Sequence, residues 1–360
     1  MHPEVKYIGF LTLPFAGTTS IFSFKYSILY VIINDIVKKL KRWSKSAGNR
    51  FISLYNTIFI KNKKLYYRCK SETSETLRNE TVMIAENIKP ISEHVSTHLK
   101  PINDEQFGHY LAGLIEGGGH FLSLDSSKQQ LVIVFNLLDV SLAYYIKERL
   151  GYGSVHKVKN KNAVILVVTA RKGIEKVIDL INGKIRTEII YNQIKINILN
   201  NEKYIEYNNK ITLNLNIDKN HFVENHWLAG FSDANASFQI KVLNCKKNKT
   251  EIRLNFQIDQ KNNNNVILLI KNFLGGNIGY RKLGSQKKGE TYYYGSTSFG
   301  SAKKVINYFD HFHLLSTKHI NYLKWRKAYL IIQNKKHLTK EGIEKIIKLK
   351  NSMNRLNFLI

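Results

Sequence analysis

Residues 108–121 read GHYLAGLIEGGGHF and residues 225–238 read NHWLAGFSDANASF, the same pattern 117 positions later. Each copy is a short apolar run carrying paired small residues, Ala112 and Gly113 in one and Ala229 and Gly230 in the other. Side chains that small let two helix backbones approach closely, so the two runs are expected to be helices packed together on a twofold-like axis. The repetition continues downstream. IKERLGYGSV from Ile146 returns as IKNFLGGNIG from Ile270, 124 positions later, and the Lys-Val-Ile of 176–178 returns at 304–306, 128 later. Three matches in the same order with slowly growing spacing mark a duplicated unit with small loop insertions.

Periodicity gives the content of each unit, most clearly in the second. Phe238, Ile240 and Val242 alternate with Ser237, Gln239 and Lys241, and Ile252, Leu254, Phe256 and Ile258 alternate with Arg253, Asn255, Gln257 and Asp259. Two period-two runs joined by NCKKNKT predict a hairpin with one apolar face and one polar, basic face. Residues 263–273 then read as a helix, 277–283 and 290–298 as a second hairpin, and 301–311 as another helix. The expected class is α+β: tandem αββαββα repeats, each with a four-stranded antiparallel sheet covered by helices on one face and open on the other.

Outward from the repeats, the expected boundaries are an apolar segment over 1–43, a polar linker over 44–104, a first repeat over 105–222, and a second repeat with C-terminal helices over 223–360. Residues 7–24 carry no charge and 26–34 are again apolar, but Pro14, Gly9, Gly17 and Lys25 interrupt them, and Lys38, Lys39, Lys41 and Arg42 follow. A membrane-contacting segment, a targeting segment and a translated upstream remnant all fit that pattern. Cys69 and Cys245 are the only cysteines, which excludes a disulfide-stapled module and a four-cysteine zinc site.

The 55 Lys plus Arg against 27 Asp plus Glu give a formal charge of +28 and a pI near 9.8. Richness in Asn, Ile, Lys and Tyr with only four Pro is the usage of an AT-rich gene and accounts for part of the excess Lys. The shortage of acids is not explained that way and implies a polyanionic partner, nucleic acid first.

LAGLIEGGG and LAGFSDANA resemble the LAGLIDADG motif, which names a family of homing endonucleases and intron-encoded RNA maturases. Over roughly 105–330 the likeness covers both motif copies, the αββαββα order and the spacing of a single-chain, two-motif member. The resemblance implies a monomeric, pseudo-twofold saddle whose open sheet faces lie along nucleic acid, either double-stranded DNA or group I intron RNA. It also implies an acid at the eighth position of each motif, where two carboxylates hold Mg2+ over the scissile phosphates. Here those positions are Gly118 and Asn235. Gly118 supplies no side-chain ligand and Asn235 a neutral one, a vestigial metal site at best. Losing both charged ligands is expected to cost roughly 10⁴-fold or more in rate. The sixth positions keep acids, Glu116 and Asp233, which together with Asn235 are the residual catalytic candidates. Two positions along a helix turn a side chain by roughly 200°, so these acids are expected at hydrogen bonds flanking the helix ends rather than at the metal site.

Resemblance and alternation together nominate Ser237, Gln239, Lys241, Arg253, Asn255 and Gln257 as base-reading residues, since Arg and Lys match guanine and Asn and Gln match adenine. The hairpin tip, Lys246, Lys247 and Lys249, suits phosphates, as do Arg186 and Lys318 near the last helices of each half. In the first repeat Leu122, Leu124, Val132 and Val134 replace the polar set, so its groove face is expected to be apolar and the halves unequal. The opening HPEV is similar to the start of a stretch of cytochrome oxidase subunit 1, a common host gene of mitochondrial introns. The resulting expectation is a mitochondrial intron-encoded protein with DNA cleavage weak or lost and a maturase role in splicing. The alternative is an active homing endonuclease using Mg2+.

Overall fold

The computed structural model describes residues 90–360 except 126–127, 215–224, 246–248, 262–263, 283–289 and 354–360. The apolar segment and the basic cluster at 38–42 lie outside the described residues. Among the described residues no helix is long and apolar enough to cross a membrane.

The first repeat runs α1 (Asp104–Gly118), β1 (Gly119–Asp125), β2 (Lys128–Asn136), α2 (Val140–Leu150), β3 (Ser154–Lys157), β4 (Ala163–Val168) and α3 (Arg171–Ile181), followed by α4 (Glu188–Gln193). The second runs α5 (Trp227–Asn235), β5 (Ala236–Cys245), β6 (Lys249–Lys261), α6 (Asn264–Leu274), β7 (Asn277–Lys282), β8 (Glu290–Ser296) and α7 (Phe299–Phe309), then α8 (Lys318–Gln333) and α9 (Lys340–Ser352). Both sheets are antiparallel, with strand orders β1-β2-β4-β3 and β5-β6-β8-β7. This is the αββαββα order twice over.

Local chemistry starts and stops these elements. The Asn103 side chain accepts from the Gln106 N–H, and Asp104 and Glu105 place negative charge in the first turn of α1. Neither motif helix is followed by a loop: α1 ends at Gly118 with β1 starting at Gly119, and α5 ends at Asn235 with β5 starting at Ala236. The eighth motif positions are therefore the last helical residues at a helix-to-strand corner.

Gly113 and Gly230 stand where α1 and α5 cross. A Cβ on Gly113 would lie 1.9 Å from the Trp227 carbonyl oxygen, and one on Gly230 would lie 2.0 Å from that of Tyr110. Tyr110 and Trp227 are themselves equivalent in the two motifs, so the contact is reciprocal, as a twofold-like axis requires. Ala112 and Ala229 are buried beside it. Beneath the second sheet, the Phe238 ring packs against Phe256 (4.9 Å), Phe309 (5.7 Å) and Trp325 (5.6 Å). Alternate residues of β5 and β6 thus meet α7 and α8, which fixes the opposite face as the open one.

Two differences from the sequence reading stand out. The β5–β6 ladder continues through Asn244↔Thr250 to Cys245↔Lys249, so most of the expected loop is strand. Backbone pairing carries the hairpin past the point where side-chain alternation ends. The second difference concerns the polar linker: its final part, 90–103, is docked. The Gln333 amide exchanges hydrogen bonds with Ile91 backbone (2.9 and 3.0 Å), Arg326 donates to the Ser92 and His94 carbonyls (both 2.9 Å), and His313 Nδ1 accepts from the Leu99 N–H (2.8 Å). The segment is held mainly through its backbone, so its polar composition concealed the attachment.

Candidate nucleic-acid interface

The two motif helices bring their C-terminal ends together. A Cβ on Gly118 would meet the Ala234 Cβ at 3.5 Å and the Val134 carbonyl at 3.6 Å, which is ordinary contact, whereas one on Gly117 would lie 2.5 Å from the Ala234 Cβ. Position 118 therefore has room for a side chain that it lacks. Asn235 Nδ2 donates to Gln260 Oε1 at 2.9 Å. Lys318 reaches the same corner, its ammonium donating to the carbonyls of Ser232 (3.2 Å) and Ala234 (3.0 Å). Burial lowers its pKa, while Asp233 and Asp139 pull the other way. A cation there offsets the negative end of the α5 dipole. Lys318 thus caps the end of α5, with two of its three N–H donors on carbonyls.

The residues at this corner do not fit a divalent metal ion. Position 118 has no donor, Asn235 is neutral, and among the described residues no group of three or more His, Cys, Asp or Glu could hold a metal. A hard cation needs several oxygen ligands, charged ones above all.

Glu116 and Asp233 are buried and engaged elsewhere. The Glu116 carboxylate accepts from the backbone N–H of Arg186 (2.7 Å) and Thr187 (2.5 Å), just before α4, and from Trp227 Nε1 (2.5 Å). Asp233 accepts from the Leu315 N–H (2.7 Å) and the Ser316 hydroxyl (2.5 Å), just before α8, and from the Tyr110 hydroxyl (2.6 Å). Each acid thus caps the approach to the helix after its own repeat and reaches across to the aromatic residue of the opposite motif helix. Desolvation raises both carboxyls, Glu116 to about 7, against the hydrogen bonds that lower them. Both acids lie at hydrogen bonds flanking helix ends, their oxygens turned to backbone and side-chain donors inside the molecule. Sequence reading missed Tyr110, Trp227 and Ser316, although the equivalence of Tyr110 and Trp227 in the motifs was visible. Arg186 is buried too, its guanidinium 5.4 Å from the centre of the Trp227 ring.

On the second sheet the register aligns Ser237 with Gln257, Gln239 with Asn255 and Lys241 with Arg253, all on the open face. These side chains are tied to one another along their strands. Gln239 donates to Ser237 (3.1 Å), Asn255 to Gln257 (3.3 Å), and Gln257 to Asp259 (3.0 and 2.9 Å). Lys241 is exposed, while Asn255 is only 8% exposed and offers less surface than alternation predicted. Arg253 is held by Glu251, and Arg281 sits 3.8 Å from Asp259 and over the Tyr293 ring. The acids Glu251 and Asp259 temper the positive charge of this face. Both continue the alternation that nominated their neighbours; Arg281 was hidden because Gly279 and the run Tyr292–Tyr294 obscure the period of β7 and β8. Lys246 and Lys247 lie outside the described residues, and Lys249 pairs with Cys245 in the ladder.

On the first sheet the open face is apolar. Leu122, Leu124 and Val134 are 37, 63 and 49% exposed, and Val132 is half-buried beside them.

A LAGLIDADG endonuclease family model matches residues 111–209 and 228–329. The chain is 56% identical over 348 residues to an uncharacterized cox1 intron-2 protein of Schizosaccharomyces pombe, covering 95% of this chain and 97% of that one. It is 29% identical to the intron-encoded DNA endonuclease aI3 of Saccharomyces cerevisiae, over 69% of each chain. It is 27% identical to the intron-encoded RNA maturase bI4 of the same yeast, over 70% of this chain and 39% of that one. Among solved structures, the meganuclease I-SmaMI bound to uncleaveable DNA superposes with a TM-score of 0.55 at 23% identity, covering 69% of this chain and 99% of that one. That likeness is one of fold.

Proposed function

Because the chain belongs to the LAGLIDADG endonuclease family, we propose that it keeps the nucleic-acid-binding saddle, cleaves DNA weakly or not at all, and acts as a maturase in splicing its host group I intron. The observation that carries this reading is the helix corner: position 118 has space but no ligand, Asn235 is neutral, and Glu116 and Asp233 are committed to internal hydrogen bonds. Phosphodiester hydrolysis needs metal ions to activate water and stabilise the leaving oxygen. Binding needs neither. Folding an intron RNA for splicing calls for a basic surface and complementary shape, and neither requires metal-binding acids. Likeness to a cox1 intron protein supports a mitochondrial site of action, and one chain with both motifs supports a monomer.

The decisive comparison sets the unmodified chain beside the double variant Gly118→Asp, Asn235→Asp, each incubated with Mg2+ and a duplex spanning the intronless exon junction. Cleavage by the double variant alone is the expected result. Efficient cleavage by the unmodified chain would instead establish the endonuclease reading, with Mg2+ held in some other way. Splicing of the host intron RNA with and without the protein measures the maturase role directly, and unchanged splicing would overturn it.

A further inference from the structure

The segment 90–103 leads into α1, yet its first anchors lie in the second repeat, where Gln333 and Arg326 of α8 hold Ile91, Ser92 and His94. Farther along, Arg149 of α2 donates to the Pro101 carbonyl (3.1 Å), and the Lys100 ammonium lies 4.6 Å from the centre of the Tyr145 ring. The segment therefore bridges the two repeats. Midway along it three imidazoles meet. The His98 ring stands 5.2 Å from His313 and 4.4 Å from His319, centre to centre, and His313 stands 5.6 Å from His319.

The hydrogen bonds of this cluster fit neutral rings. His313 Nδ1 accepts from the Leu99 N–H (2.8 Å), which leaves the ring proton on Nε2, and that N–H donates to the Asp310 carbonyl (3.1 Å). A second proton would set a donor against a donor. His319 Nδ1 is buried without a hydrogen-bond partner, so a proton there would find no acceptor. His98 is exposed and its Nε2 donates to the Leu314 carbonyl (2.8 Å), so solvent reaches the edge of the cluster. Asp310 is the carboxylate that favours charge on His313 and His319, but it is already engaged by Arg326 and the Tyr322 hydroxyl. His311 and the His226 ring at the start of α5 oppose charge on His313. Burial, with the neighbouring rings, lowers the pKa of His313 and takes that of His319 to about 4.

The turn that carries His313 also joins the repeats. Directly after it, Leu315 and Ser316 hold Asp233, which accepts from Tyr110 of the opposite motif helix, and the Thr317 N–H donates to Asp139 of the first repeat (2.7 Å). We propose that His98, His313 and His319 form an acid-sensitive clasp: neutral, they hold residues 90–103 across the two repeats, and protonated, they release the segment and loosen the turn at 313–317. The clasp rests on neither the saddle nor the maturase role. A histidine whose pKa in the closed state lies below its ordinary 6.5 favours closure fully above that pH and loses this contribution as pH falls, because the open state takes up the proton. Glu116 has the opposite sign.

Hydrogen–deuterium exchange of the full chain, read by mass spectrometry on peptides covering 90–103 and 313–317, tests the clasp between about pH 7.5 and about pH 5, the window set by the lowered histidines. His319→Gln, measured at every pH, cancels both the pH dependence of exchange itself and the contribution of Glu116. Relative to this variant, protection of both peptides in the unmodified chain should fall by about 30-fold across the window, the factor for one histidine that moves from about 4 to 6.5 on opening. His313→Asn keeps an acceptor for the Leu99 N–H but cannot take a charge, and it should flatten the pH dependence in the same way. Protection that changes with pH equally in the unmodified chain and both variants overturns the proposal. Release of 90–103 in acid with protection of 313–317 unchanged overturns it as well.

Discussion

Glu116 is a carboxylate held among three internal donors, and its titration distinguishes a structural latch from a metal ligand. Burial lifts its pKa from 4.5 to about 7 in the folded chain. Between those values the folded state keeps a proton that the unfolded state releases, so stability falls as pH rises across this window and levels off above about 7. Glu116→Gln cannot titrate. The wild-type stability, measured relative to this variant by denaturant unfolding, should decline by roughly 3 kcal/mol from below pH 4.5 to above 7. A difference that does not change with pH would refute the buried assignment. For the opposite latch, Tyr110→Phe removes the donor to Asp233 and should cost about 1–3 kcal/mol by the same measurement. Gly118→Asp should fold normally, because its Cβ meets nothing nearer than 3.5 Å.

At the scale of elements, the crossing of α1 and α5 is the least tolerant part of the molecule. A methyl on Gly113 or Gly230 would fall within 2.0 Å of a backbone oxygen, and a backbone cannot swing aside as a side chain can. Gly113→Ala and Gly230→Ala should each destabilise by about 3 kcal/mol, the upper end of overpacking costs, seen as a lowered unfolding midpoint. The docked segment 90–103 gives a second prediction at this scale. Arg326 is 2% exposed and joins Asp310 to the carbonyls of Ser92 and His94. Arg326→Met leaves Asp310 without its main partner and should cost about 3–5 kcal/mol, while protease cleavage within 90–103 accelerates. Slow cleavage there in the variant would show that the remaining contacts, among them those of Gln333, His313, Leu314 and Asn334, suffice.

For the molecule as a whole, the formal charge of +28 overstates what the sheets present. On the open face of the second sheet Glu251 pairs with Arg253, and Asp259 accepts from Gln257 and faces Arg281. If binding neutralises 6–10 phosphates, the log-log slope of affinity against salt should be roughly −5 to −9. A flat response would refute the polyanion argument. Neutralising the acid with Glu251→Gln should release Arg253 and tighten binding at low salt, which titration against labelled duplex would measure.

The sequence alone determined the duplication, the αββαββα order and the helix-crossing glycines, while only the resemblance to a family motif marked the carboxylates missing at 118 and 235. Each of these is a local or periodic property, readable because small residues and period-two alternation have one structural meaning at close packing. It also exposed the apolar first hairpin. What it left open was decided by contacts between residues far apart in the chain. Only the tertiary structure ties Glu116 to Trp227 and Asp233 to Tyr110, turns Arg186 and Lys318 inward, and docks residues 90–103 on α8. The physical reason is that a carboxylate or an ammonium has the same composition whether it faces solvent, metal or a buried amide. Its role is set by which donors and acceptors the fold brings within about 3 Å, a hydrogen-bond length.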